Sequence, residues 1–196
     1  MKRIEEIYRE ILYQALEKKN YALTQKGIAV KLRVSISTVN HALQILRKMN
    51  AIKVNPRNFK IVNPRKILYY WACIRDVKKD IVYKTRVVDS VINIEKNMPN
   101  NVAYAAYTAY KFKFKDAPSD YSEVYVYSND VNEMKRRFPE SKNTPNIFII
   151  KKDKNMDKYG KIATNANIFV DLWNLPEWYA QEFLKAMENK WNTGMQ

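Results

Sequence analysis

A carboxylate followed two residues later by a lysine is half of a metal-dependent nuclease centre. An Asp from an adjoining strand completes the pair of oxygens on a divalent ion, and the lysine stands near the attacked phosphate. The chain holds this spacing at Glu17/Lys19, Asp76/Lys78, Glu133/Lys135 and Glu188/Lys190, among other places. All four fall in segments whose pattern predicts helix, where the spacing arises by chance. Asp120, Glu123, Asp153 and Asp171 could gather at strand ends, but loop and cap roles account for each. Asp171 reads as the cap of a turn into a helix beginning near Pro176. One Cys (Cys73) and one His (His41) exclude a zinc site of Cys and His ligands and an internal disulfide. Three scattered glycines, Gly27, Gly160 and Gly194, cannot form a phosphate-binding glycine loop. The expectation is a protein that binds, with no cofactor, no metal and no catalytic role.

What remains is charge. The 196 residues carry 35 Lys and Arg against 20 Asp and Glu, a net +15. Residues 18–75 contain thirteen bases and no acid, and residues 1–66 alone carry fifteen bases against four acids. A solvated surface ordinarily mixes both signs, so this run points to a polyanionic partner, nucleic acid first. The start turns acidic at once at Glu5-Glu6 and lacks an apolar signal core. The longest apolar run, residues 67–74, is far short of the roughly 20 residues of a membrane helix. A cytoplasmic protein with no membrane segment is expected.

The elements that would carry this charge are legible. Ile4, Ile7, Tyr8, Ile11, Leu12 and Leu16 recur at helical intervals, so a first helix ends near Lys19-Asn20. Thr24 caps a second helix over 25–32, Arg33-Val34 breaks it, and Ser35 caps a third from Ile36 to about Met49. Ile36, Val39, Leu43 and Leu46 are expected to face inward. Two strands, 51–54 and 59–62, flank a turn at 55–58. Three helices followed by a hairpin is the order of a winged helix-turn-helix.

Residues 28–46, Ile28-Ala29-Val30-Lys31-Leu32-Arg33-Val34-Ser35-Ile36-Ser37-Thr38-Val39-Asn40-His41-Ala42-Leu43-Gln44-Ile45-Leu46, resemble a recurrent pattern of prokaryotic winged-helix regulators. With Val39, Leu43 and Leu46 inward, Ser37, Thr38, Asn40, His41 and Gln44 face outward near the start of the third helix. Asn40 and Gln44 suit adenine by bidentate geometry. Arg47 and Lys48, further along, suit phosphate, and Arg57 at the turn with Lys53 and Lys60 beside it suits backbone or minor groove. Ser35 serves equally as a plain N-cap, Asn55 and Asn58 as turn formers, and His41 as an incidental surface histidine.

Asn63-Pro64 opens a helix to about Lys79 whose apolar middle is expected to be buried between domains or in a dimer contact. Beyond it the pattern predicts a strand at 81–83, a short helix at 89–96 and a strand turning into a helix over 102–114. A strand at 121–127, a helix at 130–138, strands at 146–150 and 166–170, and a helix from 176 to 191 complete the chain. Its tyrosines read as core or interface residues rather than as a base-stacking platform.

The order Ala103-Tyr104-Ala105-Ala106-Tyr107-Thr108-Ala109-Tyr110, Tyr125-Val126-Tyr127, Asn146-Ile147-Phe148-Ile149-Ile150 and Phe169-Val170-Asp171-Leu172-Trp173 resembles the C-terminal domain of AbiEi-like proteins. These are the antitoxin and transcriptional-regulator half of type IV toxin–antitoxin systems. The usual Thr-Gly of that domain is Thr108-Ala109 here. The resemblance implies operator binding, repression of the protein's own operon and opposition to a nucleotidyltransferase toxin. The expected fold is α+β: a winged helix-turn-helix at 1–63, a linker helix at 64–80 and a small mixed α/β domain at 81–196 for dimerisation or partner binding. The expected function is sequence-specific binding of double-stranded DNA by a homodimeric regulator. A metal-dependent nuclease carrying a winged helix, and an RNA-binding scaffold, are the alternatives.

Overall fold

A computed structural model describes residues 1–194, an α+β fold with nine α-helices and two small sheets among the described residues. None of these helices is long and apolar enough to cross a membrane. The chain forms two compact units. The first comprises Met1–Arg75 with Thr164–Val170, and the second Asp76–Ala163 with the residues from Asp171 onward.

The first unit is built on α1 (Arg3–Leu16), whose Ile7, Tyr8, Ile11, Leu12 and Ala15 are fully buried. α2 (Gln25–Leu32) begins where Thr24 Oγ1 accepts the Gly27 N–H at 3.0 Å. It ends where Arg33 adopts the left-handed conformation (φ 54°) and the Val34 N–H reaches back to the Ala29 carbonyl at 3.0 Å. Ser35 then caps α3 (Ile36–Lys48). β2 (Ile52–Val54) and β3 (Phe59–Ile61) pair antiparallel across a four-residue turn, with Ile52 opposite Ile61 and Val54 opposite Phe59. A strand absent from the sequence reading, β1 (Ala22–Leu23), pairs with β3 on its other side and gives the order β1-β3-β2.

α4 (Pro64–Ile74) starts on the Asn63 cap, as the Asn-Pro pair predicts, but stops at Ile74 rather than near Lys79. It packs on α1 inside this unit. Ile67, Leu68, Trp71 and Ala72 are buried, Tyr70 meets the Tyr8 ring edge-on at 5.7 Å, and Cys73 is exposed. The Trp71 indole N–H donates to Glu5 Oε2 at 3.2 Å, and the Arg75 guanidinium lies 3.4 Å from the same oxygen.

Residues 166–170 form part of α8 (Asn165–Trp173), not a strand. A five-residue apolar run fits either state, and Thr164 decides it by accepting the Asn167 N–H on Oγ1 at 3.2 Å, an N-cap. Ile168, Phe169 and Val170 are all fully buried, the solution open to a helix covered on every side. Within the first unit Phe169 meets the Tyr69 ring edge-on at 5.8 Å, and the Asn165 N–H donates to Glu17 Oε1 at 2.8 Å.

The second unit holds a four-stranded sheet in the order β4 (Ile81–Thr85), β7 (Ile147–Lys151), β6 (Val124–Ser128), β5 (Ala103–Tyr104). β6 and β7 run parallel, joined through α7 (Val131–Arg137), and the outer pairs are antiparallel. One face carries Tyr83, Val124, Val126, Ile147 and Ile149 into a core with Ile94 of α5 (Val91–Lys96) and with Met134 and Phe138. Tyr125, Tyr127 and Phe148 alternate to the other face, where α6 (Ala106–Phe114) and α9 (Ala180–Gly194) supply Tyr107, Tyr110 and Phe183. α9 starts at Ala180, four residues after the Pro176 expected to open it.

Candidate nucleic-acid interface

The third helix owes its start to three hydroxyls. Ser35 Oγ accepts the Thr38 N–H at 3.1 Å and lies 2.7 Å from Ser37 Oγ and 2.8 Å from Thr38 Oγ1. Ser35 is thus an N-cap first. Replacing it with alanine is expected to cost about 1 kcal/mol, read as a lower denaturant midpoint, with aspartate restoring most of the loss.

Beyond the cap, burial sorts the helix cleanly. Val39, Ala42, Leu43 and Leu46 are buried, while Ser37, Asn40, His41, Gln44, Arg47 and Lys48 are exposed and Thr38 is half-buried. Spacings of three and four residues place the exposed set along one stripe. Ile36 departs from the reading that turned it inward. As the first residue of the helix it lies beyond the core stripe, and it is 53% exposed.

The hairpin adds Lys53, Arg57 and Lys60, all exposed. Lys53 stands directly opposite Lys60 across β2 and β3, an arrangement that repels unless an anion lies over it. The tip is held by the Asn55 N–H donating to the Asn58 carbonyl at 2.8 Å and by Asn55 Nδ2 donating to Asn58 Oδ1 at 2.9 Å. The two asparagines therefore form the turn. Among the described residues, Arg47, Lys48, Lys53, Arg57 and Lys60 make no ion pair. Lys31 lies 2.7 Å from Glu10 Oε1 instead.

Sequence reasoning missed the apolar part of this surface. A hollow of about 300 Å³ lies between the start of α2, Ile36 and the hairpin tip, lined also by Gln25, Lys26, Val54 and Pro56. Its signal was available only as exposure of Ile36 and Val54, which periodicity does not give.

The structure moves two of the four carboxylate–lysine pairs off the helices. Glu17 and Lys19 lie past the end of α1, and Asp76 and Lys78 follow α4 outside any α-helix, where Asp76 Oδ1 accepts the Lys79 N–H at 3.3 Å. Both pairs were expected on helices. Glu133 is engaged by Arg136 and Arg137, whose hydrogen bonds and charge hold its carboxyl below the usual range. Asp171 is not a turn cap. It is buried in α8, its two oxygens accepting the Tyr127 hydroxyl at 2.9 and 2.8 Å. Among the described residues, no three His, Cys, Asp or Glu side chains could together hold a metal ion. Tyr107, Tyr110, Tyr125 and Tyr127 are buried rather than displayed for stacking. No model of a known protein family, no curated protein and no solved structure matches the chain.

Proposed function

We propose that the first unit is a winged helix-turn-helix that binds double-stranded DNA, and that the protein is a sequence-specific transcriptional regulator acting as a homodimer. The opposed pair Lys53 and Lys60, without a counter-ion among the described residues and beside the exposed stripe of α3, carries this reading. Two like charges held face to face on a rigid ladder favour an anion that bridges them, and a phosphate backbone supplies one at every step. In this arrangement α3 enters the major groove with Asn40 and Gln44 toward base edges. Ser37, Thr38 and His41 line the same groove, Arg47 and Lys48 meet phosphate, and the wing holds the backbone through Lys53, Arg57 and Lys60. Ile36 and Val54 offer methyl groups of the kind that meet thymine.

Selection of bound duplexes from a random pool by the full protein tests this reading. Asn40→Ala and Gln44→Ala are each expected to relax preference at one position, at a cost of about 1–3 kcal/mol. Lys53→Ala and Arg57→Ala are expected to weaken binding to every duplex and to flatten the salt dependence by about one unit of slope per lost phosphate contact. Failure of the full protein to bind any duplex at low salt sinks the reading.

The resemblance to AbiEi-like proteins extends it to an autorepressing antitoxin whose second unit meets a nucleotidyltransferase-type toxin. A nucleotidyltransferase encoded beside this chain, neutralised when the two are expressed together, is the expected result. A neighbour whose toxicity the protein leaves unchanged would leave a stand-alone regulator.

A further inference from the structure

The second unit contains a cavity of about 780 Å³, within the range that holds small-molecule ligands. Its floor follows from strand register. Lys84 pairs with Phe148 across β4 and β7, and Phe148 pairs with Tyr125 across β7 and β6, so the three side chains form one row on one face of the sheet. The rings of Tyr125 and Phe148 stack at 4.6 Å with planes 8° apart. Tyr125 is buried, whereas Phe148 is half-buried and lines the cavity. A planar ring can therefore extend the stack from the Lys84 side.

The charge of the walls chooses among such rings. Glu177 is occupied by two tyrosine hydroxyls, accepting from Tyr107 at 3.1 Å and Tyr125 at 3.3 Å. Glu140 is occupied by Lys135 at 2.7 Å, which also lies 5.5 Å above the Tyr83 ring centroid. Lys78 and Lys84 line the same cavity, are exposed, and make no ion pair among the described residues. Both carboxylates are thus engaged and two ammonium groups are not.

We propose that this cavity binds a planar aromatic anion, its ring stacked on Phe148 and its carboxylate or phosphate held by Lys84 and Lys78. The site lies wholly in the second unit, so the inference is independent of DNA binding. An aromatic carboxylate and a nucleoside monophosphate share this chemistry, and separate probes distinguish them.

Calorimetric titration of the full chain with salicylate and with adenosine monophosphate is the test. Benzyl alcohol and adenosine serve as neutral counterparts, and inorganic phosphate as the ringless one. At least one anion is expected to bind saturably at one site per chain, roughly ten-fold tighter than its neutral counterpart and than phosphate. The tighter of the two probes identifies the source. Lys84→Gln, on an exposed side chain, is expected to weaken binding roughly ten-fold, and Phe148→Leu several-fold. Should Phe148→Leu fail to fold, Lys84→Gln carries the test. No saturable binding of either anion at millimolar concentration overturns the proposal. So does equal binding of the neutral counterparts or of phosphate, or unchanged affinity in the folded Lys84→Gln variant.

Discussion

Trp71→Ala is expected to destabilise the first unit by about 3–5 kcal/mol, the range for deleting a buried aromatic side chain. The indole is fully buried in α4, so its loss leaves a cavity that α1 and α4 close only in part. It also removes a donor from Glu5, a carboxylate only 2% exposed whose oxygen is shared with the buried Arg75. A buried carboxylate short of a partner adds its desolvation cost to that of the cavity. Against a typical total of about 5–15 kcal/mol, this removes much of what holds a domain folded. The denaturant midpoint of the first unit should fall accordingly, and the proposed duplex binding should fall with the folded fraction. Cys73→Ala, two residues away but exposed, is the control, expected within about 0.5 kcal/mol of the unaltered protein. Equal midpoints for the two variants would show that Trp71 does not hold the unit together. A piece ending at residue 66 lacks Trp71 and most of α4, so binding is properly measured on the full chain.

Alkaline pH is expected to unfold the second unit in a single steep step. Burial, and then the charge of Glu177, push the hydroxyls of Tyr107 and Tyr125 well above the ordinary tyrosine value of 10.0. Burial and then Glu95 do the same for Tyr121. A group whose folded value is raised contributes stability that is complete below its unfolded value and is lost as pH climbs toward the folded one. Here that window opens near pH 10, because the unfolded chain releases protons that the folded chain retains. Tyr107 and Tyr125 are almost completely buried, and each should remove about 1.4 kcal/mol per pH unit above that point. Absorbance of ionised tyrosine and loss of secondary structure should then rise together, and Tyr125→Phe should shift the midpoint to higher pH. Ionisation of all fourteen tyrosines near pH 10 in a chain that keeps its secondary structure would contradict this expectation.

The parts of the fold that were legible are those decided within a few residues. Thr24, Ser35 and Asn63 each cap a helix from its own side chain, and the Asn55–Asn58 turn closes on itself, so local chemistry placed all four. The outward stripe of α3 followed from periodicity for the same reason. What the sequence concealed depends on partners far along the chain. β1 is two residues long and exists only because β3 lies beside it. Asp171 meets a tyrosine 44 positions away, and the apolar run at 166–170 is helical where a strand was expected. Ile36 shows the limit of periodicity at a helix end, where the first residue clears the core although its position in the repeat points inward. The row Lys84–Phe148–Tyr125 required strand register, and register across a parallel pair is a long-range property.

The buried segment Thr164–Val170 gives the first unit an order of assembly. A ribosome releases the chain from its N-terminus, so α1 to α4 emerge with one layer of their core still unmade. At about 5–20 residues per second, the wait for the start of α8 lasts on the order of ten seconds. Throughout that interval Tyr69 lacks the Phe169 ring that meets it in the finished protein. A chain cut short before residue 164 would carry every residue proposed to meet DNA and still lack part of the first unit. The charges of the first unit are thus encoded early, while one segment of its core arrives late.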